Sequence, residues 1–199
     1  MLIVNISAVN AISNPLSLTV TVGSSETIKD AVDRALADFT IGGAYDSVYV
    51  SVTIPSGYSF NAGNTQTINT TALNSKIANM NKLIIKGDGT YPSYRTKQFD
   101  VFTSLTGLKV LKFVGLELKG VADGTAPANY LVSTPTGVTI DSIVINDCKV
   151  NNYTCVINNG TGTTTIKYIT LYNSIFSNFS QSFISQGSAT CNFYKIQSF

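Results

Sequence analysis

The chain has 199 residues, 44% of them hydrophobic and only 12% charged, so it can bury a core as one domain or one solenoid segment, with about half the usual share of charge. It holds no apolar run long enough to span a membrane, and a net charge of +2 from scattered lysines and arginines gives no field that would hold nucleic acid. With no histidine, and with Cys148, Cys155 and Cys191 in no ligand spacing, no metal and no cofactor is expected.

Residues 1–23 read as an N-terminal strand region, in which Leu16, Leu18, Val20 and Val22 alternate with polar residues. The first residues lack the basic start and continuous apolar stretch of an export signal. Either such a signal has been removed, or the protein is assembled inside a cell and released by lysis. A helix is expected over 24–39, with Ser24 or Ser25 as N-cap and Glu26 in the first turn. Ile28, Val32, Ala35 and Leu36 form its apolar stripe, and Lys29, Asp30, Asp33 and Arg34 face water. Gly42 and Gly43 end that region.

From 46 to 199 the chain reads as strand and turn. A strand beginning at Asp46 runs into a Pro-Ser-Gly turn, Asn61–Asn79 reads as a loop or irregular turn, and a strand from Asn81 closes at Gly87 and Gly89. The second half repeats. VLKFVGLELKG from Val110, SIVINDCKVNN from Ser142 and YITLYNSIFSN from Tyr168 overlay one another, and YKIQSF from Tyr194 is a shortened fourth copy. Two apolar series advance nearly in step: Phe113, Ile145, Leu171 and Ile196, then Val101, Leu131, Val156 and Phe183. Gly115, Asp147, Asn173 and Ser198 mark one corner, and Asn152 and Asn178 a second, where amides can stack.

Turns of about 25 residues that bury their inner faces only by stacking define the expected fold class. It is all-β: a right-handed single-stranded parallel β-helix, capped at its N-terminal end by the amphipathic helix. Leucine is too sparse for a leucine-rich repeat, and an antiparallel sandwich needs no in-step repeat. The chain forms a single domain, and its far end at Phe199 reads as truncated, or as covered by a protein partner or a second copy.

The pattern T-I-x-x-A-V-x-x-A from Thr27 to Ala35, a strand ending in P-S-G-Y at Tyr58, and LIIKGDG from Leu83 resemble the cap and first turns of pectate-lyase-like β-helices. The repeated corners at Asp147–Asn152 and Asn173–Asn178 are similar to those of the uncharacterised pectate-lyase-fold domains of Bacteroidetes surface lipoproteins. The resemblance implies the fold and a cell-surface or extracellular setting, and hardly any activity.

No catalytic residue is assigned. Glu117 aligns with Lys149 and Ile175, Asp141 precedes a strand and Asp147 sits at a corner, so no acidic ladder forms. Without histidine no serine has an evident activating base. Two candidate ligand-binding groups remain. Tyr172 is expected to face outward beside Asn146 and Gln197, an aromatic flanked by amides that suits a sugar ring. Tyr91, Tyr94 and Arg95, with Lys97 and Asp100, form a polar-aromatic cluster in a loop. The leading expectation is therefore a non-catalytic surface scaffold that binds polysaccharide or mediates adhesion. The alternatives are a structural virion protein, such as a phage fibre or capsid decoration, and a fragment of a polysaccharide lyase or hydrolase. The cysteines read as small buried residues, with a Cys148–Cys155 or Cys148–Cys191 disulfide left open.

Overall fold

The segment VYVSVTI shows the rule that builds most of the molecule. Its branched residues Val48, Val50, Val52 and Ile54 are buried and the residues between them are not, the period-two pattern of a strand with one face in a core. The computed structural model describes residues 16–24, 26–37, 47–58, 61–68, 80–90, 92–101, 108–120, 128–134, 139–159, 165–181, 184–185, 190–194 and 197–198.

In chain order these form β1 (Leu16–Thr21), α1 (Ile28–Ala37), β2 (Val48–Ile54), β3 (Asn61–Ile68), β4 (Met80–Gly87), β5 (Ser93–Val101), β6 (Val110–Val114) and β7 (Glu117–Gly120). They continue with β8 (Ala128–Thr134), β9 (Thr139–Asn146), β10 (Lys149–Asn159), β11 (Thr165–Tyr172), β12 (Ile175–Phe179), β13 (Ile184–Ser185), β14 (Thr190–Tyr194) and β15 (Gln197–Ser198). The described residues are thus mostly β, with parallel sheets and one short helix. One sheet has the order β1-β2-β4-β6-β9-β11-β14, the other β15-β12-β10-β7-β5-β3, with β8 and β13 attached to the second. From β2 onward the chain passes back and forth between the two.

Parallel register stacks like on like. Val20, Val52, Ile85, Phe113, Ile145 and Leu171 lie opposite one another across the first sheet, and all are buried. Each contributes about 1.5–3 kcal/mol relative to exposure. The three overlaid segments of the sequence fall in the expected register, with Glu117 and Ile175 both opposite Lys149. The fourth does not. Phe193, not Ile196, lies opposite Leu171, and Gln197 and Ser198 pair with Ile175 and Phe176 in the other sheet. Ser198 is therefore a strand residue, not a corner. In the second series Leu131 and Val156 fall in step, but the pairs Phe99–Val132 and Asp100–Ser133 displace Val101. Phe183 and Ile196 lie outside the described residues.

The corners follow from backbone chemistry. Gly115, Asp147 and Asn173 have φ of 62°, 55° and 48°, and Asn152 and Asn178 have 65° and 56°. This is the left-handed region that glycine, asparagine and aspartate tolerate best. Side-chain amides then link successive corners. Asn173 Nδ2 donates to Asp147 Oδ1 and Asn178 Nδ2 to Asn152 Oδ1, both at 3.0 Å, and Asn152 Nδ2 donates to the Gly120 carbonyl at 2.7 Å. A second regularity is an extra outward residue. Asn81-Lys82, Asp141-Ser142 and Lys167-Tyr168 each interrupt the alternation once, a β-bulge carried from strand to strand.

The helix starts later than expected. Thr27, not Ser24, caps it: its Oγ1 accepts from Asp30 N (3.0 Å) while Asp30 Oδ2 accepts from Thr27 N (3.1 Å), a reciprocal capping box. Ser25 lies outside the described residues. Glu26 is held by Gly23 N and by Arg34 before the helix begins. Ile28, Ala31, Val32 and Leu36 are buried, and α1 packs on β1, β2 and β3, strands at one end of both sheets. Tyr58 fastens it by donating to the Glu26 carbonyl at 2.8 Å.

Two further expectations change. The segment read as a loop from Asn61 contains β3, and residues 69–79 lie outside the described residues. Cys148 and Cys155 are buried and free, which removes both disulfides considered. Among the described residues no helix is long and apolar enough to cross a membrane.

Candidate functional site

Tyr172 and Asn146 end neighbouring strands β11 and β9, opposite each other in register. Each is followed at once by a left-handed corner residue, Asn173 or Asp147. The bend needs its carbonyls held, and they are. The Asn146 carbonyl accepts from Gly115 N at 3.1 Å and from the Cys148 thiol at 3.2 Å. The Tyr172 carbonyl accepts from Asp147 N at 2.9 Å and from the Ser174 hydroxyl at 2.8 Å. Ser174 Oγ, itself buried, also accepts from Cys148 N at 3.0 Å. Burial pushes the Cys148 thiol up to about 12, so it stays a neutral donor and not a nucleophile.

Above this base lies an open groove of about 410 Å³, lined by Lys112, Val144, Asn146, Thr170 and Tyr172. Lys112, Val144 and Thr170 form one cross-strand row over β6, β9 and β11, and Asn146 and Tyr172 the next. Tyr172 is 42% exposed, and Tyr168, four residues earlier on the same strand, is 51% exposed; they are the exposed large apolar side chains among the described residues. Asn146 Oδ1 is buried without a hydrogen-bond partner. An unpaired buried acceptor costs about 1–3 kcal/mol until a donor reaches it.

The structure therefore unites two members of the predicted Tyr172 group, and the third stands apart from them. Gln197 is not beside Tyr172; Tyr194 occupies that register position, and Gln197 belongs to β15 in the other sheet. Tyr94 and Arg95 stand in strand β5, not a loop, opposite Leu118 and Lys119 in the second sheet. Tyr91 lies outside the described residues. Lys112, Val144 and Thr170 were legible in the sequence only as the middle outward positions of VLKFV, SIVIN and YITLY, a row that a strand-by-strand reading passes over. Asp141 pairs with Lys167 at 2.5 Å, Asp147 serves the corner, and Glu117 faces Lys149 across the strands. No group of His, Cys, Asp or Glu able to hold a metal occurs among the described residues. No protein family, curated protein or solved structure matches the chain.

Proposed function

We propose that the chain is a right-handed parallel β-helix whose seven-stranded sheet carries a glycan-binding groove centred on Tyr172 and Asn146. The fold reading rests on the parallel order of both sheets, the passage of the chain between them, and stacked left-handed corners; parallel crossovers are right-handed in nearly all proteins. A left-handed winding, or a seven-stranded sheet closed on itself, in a crystal structure would overturn it.

One observation carries the function: an exposed tyrosine stands beside an asparagine side chain in an open groove. The apolar face of a sugar ring stacks on an aromatic, and its hydroxyls bond the polar side chains of Asn146 and Thr170 that line the groove. The rigid corner beneath the groove means little ordering on binding. The protein is read as a binding scaffold working outside the cell, in keeping with the setting implied by the sequence resemblance.

The test is affinity electrophoresis of the full chain through gels containing a panel of neutral and charged polysaccharides. Retardation by at least one polysaccharide, lost in Tyr172→Ala and reduced in Asn146→Ala, is expected. No retardation by any of them, or retardation unchanged in Tyr172→Ala, sinks the reading.

A further inference from the structure

The groove has a charged end. Lys112 is half-buried at its β6 side, one row from Asn146 and two strands from β11, on the order of 10 Å from the tyrosine's strand at ordinary strand spacing. Ile84 lies directly opposite Lys112 on β4, and Lys82 and Lys86 flank that residue on the same face. Three ammonium groups thus share two adjacent strands. From β1 to β11, the register positions that face outward with them include no carboxylate except the bulge residue Asp141, already bound to Lys167. Lys82 lies 5.5 Å from the Tyr49 ring centroid, and neither Lys86 nor Lys112 has an ion-pair partner among the described residues. Like charges gathered on one sheet face repel unless an anion joins them.

The kind of anion follows from what the face lacks. A planar carboxylate is best matched by the guanidinium fork, or is bridged by a cation held on protein carboxylates. Among the described residues of this face there is no arginine and no acidic pair. The point charges of Lys112 and Lys86, on adjacent strands, instead suit a tetrahedral oxyanion that presents three terminal oxygens.

Resting on the glycan reading, we infer that the groove takes a sulfated glycan: a sugar ring stacks on Tyr172 while its sulfate ester, or that of a neighbouring ring, is held by Lys112 with Lys86 alongside. Tyr168 extends the stacking surface along β11.

Affinity electrophoresis of the full chain in dextran, dextran sulfate and carboxymethyl dextran, the charged pair matched in charge density, tests this. Dextran sulfate should retard the protein most, and added salt should weaken it. Lys112→Met should reduce that affinity about tenfold, the loss of one charge-assisted hydrogen bond. Lys119→Met, an equal charge change in the other sheet, should leave it within about twofold. Equal loss in both variants would mean net charge alone is sensed and overturns the inference. So does retention by carboxymethyl dextran as strong as by dextran sulfate, or retention by dextran as strong as by either. Retention by none of the three, together with none across the wider panel, overturns the glycan reading and this inference with it.

Discussion

Asn178 donates its side-chain amide to Asn152 Oδ1 at 3.0 Å, and both residues hold a positive φ, 56° and 65°. One residue type meets two demands at this corner, a left-handed backbone and a bond to the matching residue of the neighbouring strand. Asn178→Ala fails both and should cost about 1–2 kcal/mol. Asn178→Gly keeps the backbone and should cost less. Urea unfolding of the two variants checks the order, and an alanine variant as stable as the glycine one would show that the backbone conformation does not matter.

Tyr153 is fully buried, and its hydroxyl has no hydrogen-bond partner. Removing an unpaired buried hydroxyl while keeping the ring removes a desolvation cost. Tyr153→Phe should therefore stabilise the fold by about 1 kcal/mol. A fall in thermal midpoint would mean that the hydroxyl is satisfied in solution.

Gly87 has no room for a side chain. A Cβ there would overlap the Gly115 carbonyl oxygen and lie 2.7 Å from Pro92 Cδ. Gly87→Ala should destabilise by at least 1–3 kcal/mol, roughly the cost of overpacking a rigid site. The contact is with backbone, so no rotamer change relieves it. Wild-type stability in this variant would place the ends of strands β4 and β6 further apart than described.

Acid should weaken the N-terminal end first. The Arg34 hydrogen bond holds Glu26 below its ordinary value, Thr27 does the same for Asp30, and bonds from Thr90 and Ser56 push Asp88 down to about 2. A carboxyl depressed in the fold contributes stability that is present above its unfolded pKa and lost as pH falls through the folded one. Stability should thus drop below about pH 4, toward pH 2. Asp33, raised chiefly by desolvation, works in the opposite direction over part of that range. The urea midpoint should fall on acidification, and less steeply in Asp88→Asn. A midpoint flat from pH 6 to pH 2.5 would contradict this.

The three segments beginning at Val110, Ser142 and Tyr168 were legible because each pairs an apolar alternation with a corner residue at the same offset, two signals that fix one register. In the last copy Tyr194, which lies opposite Tyr172, is followed in the sequence by Lys195 and Ile196, with no glycine, asparagine or aspartate to mark a bend. Without such a marker Ser198 reads as the corner residue and Gln197 as its outward neighbour. The helix start is ambiguous in the sequence for a related reason: Ser24 and Thr27 both satisfy the rule for a cap, and only the reciprocal bond to Asp30 chooses between them. Of the groove, Tyr172 and Asn146 were legible as outward residues. Lys112 was not, because its meaning lies across the strands, in a row with Val144 and Thr170.

The left-handed corners have one more consequence. Phe113, Ile145 and Leu171 are 32 and then 26 residues apart in the sequence, yet they stand opposite one another in the sheet. Position in this molecule is counted from corner to corner, so extra chain between strands leaves the lattice undisturbed. Such an architecture lets outlying segments grow, shrink or be exchanged over evolution or by engineering, while the groove at Tyr172 keeps its geometry.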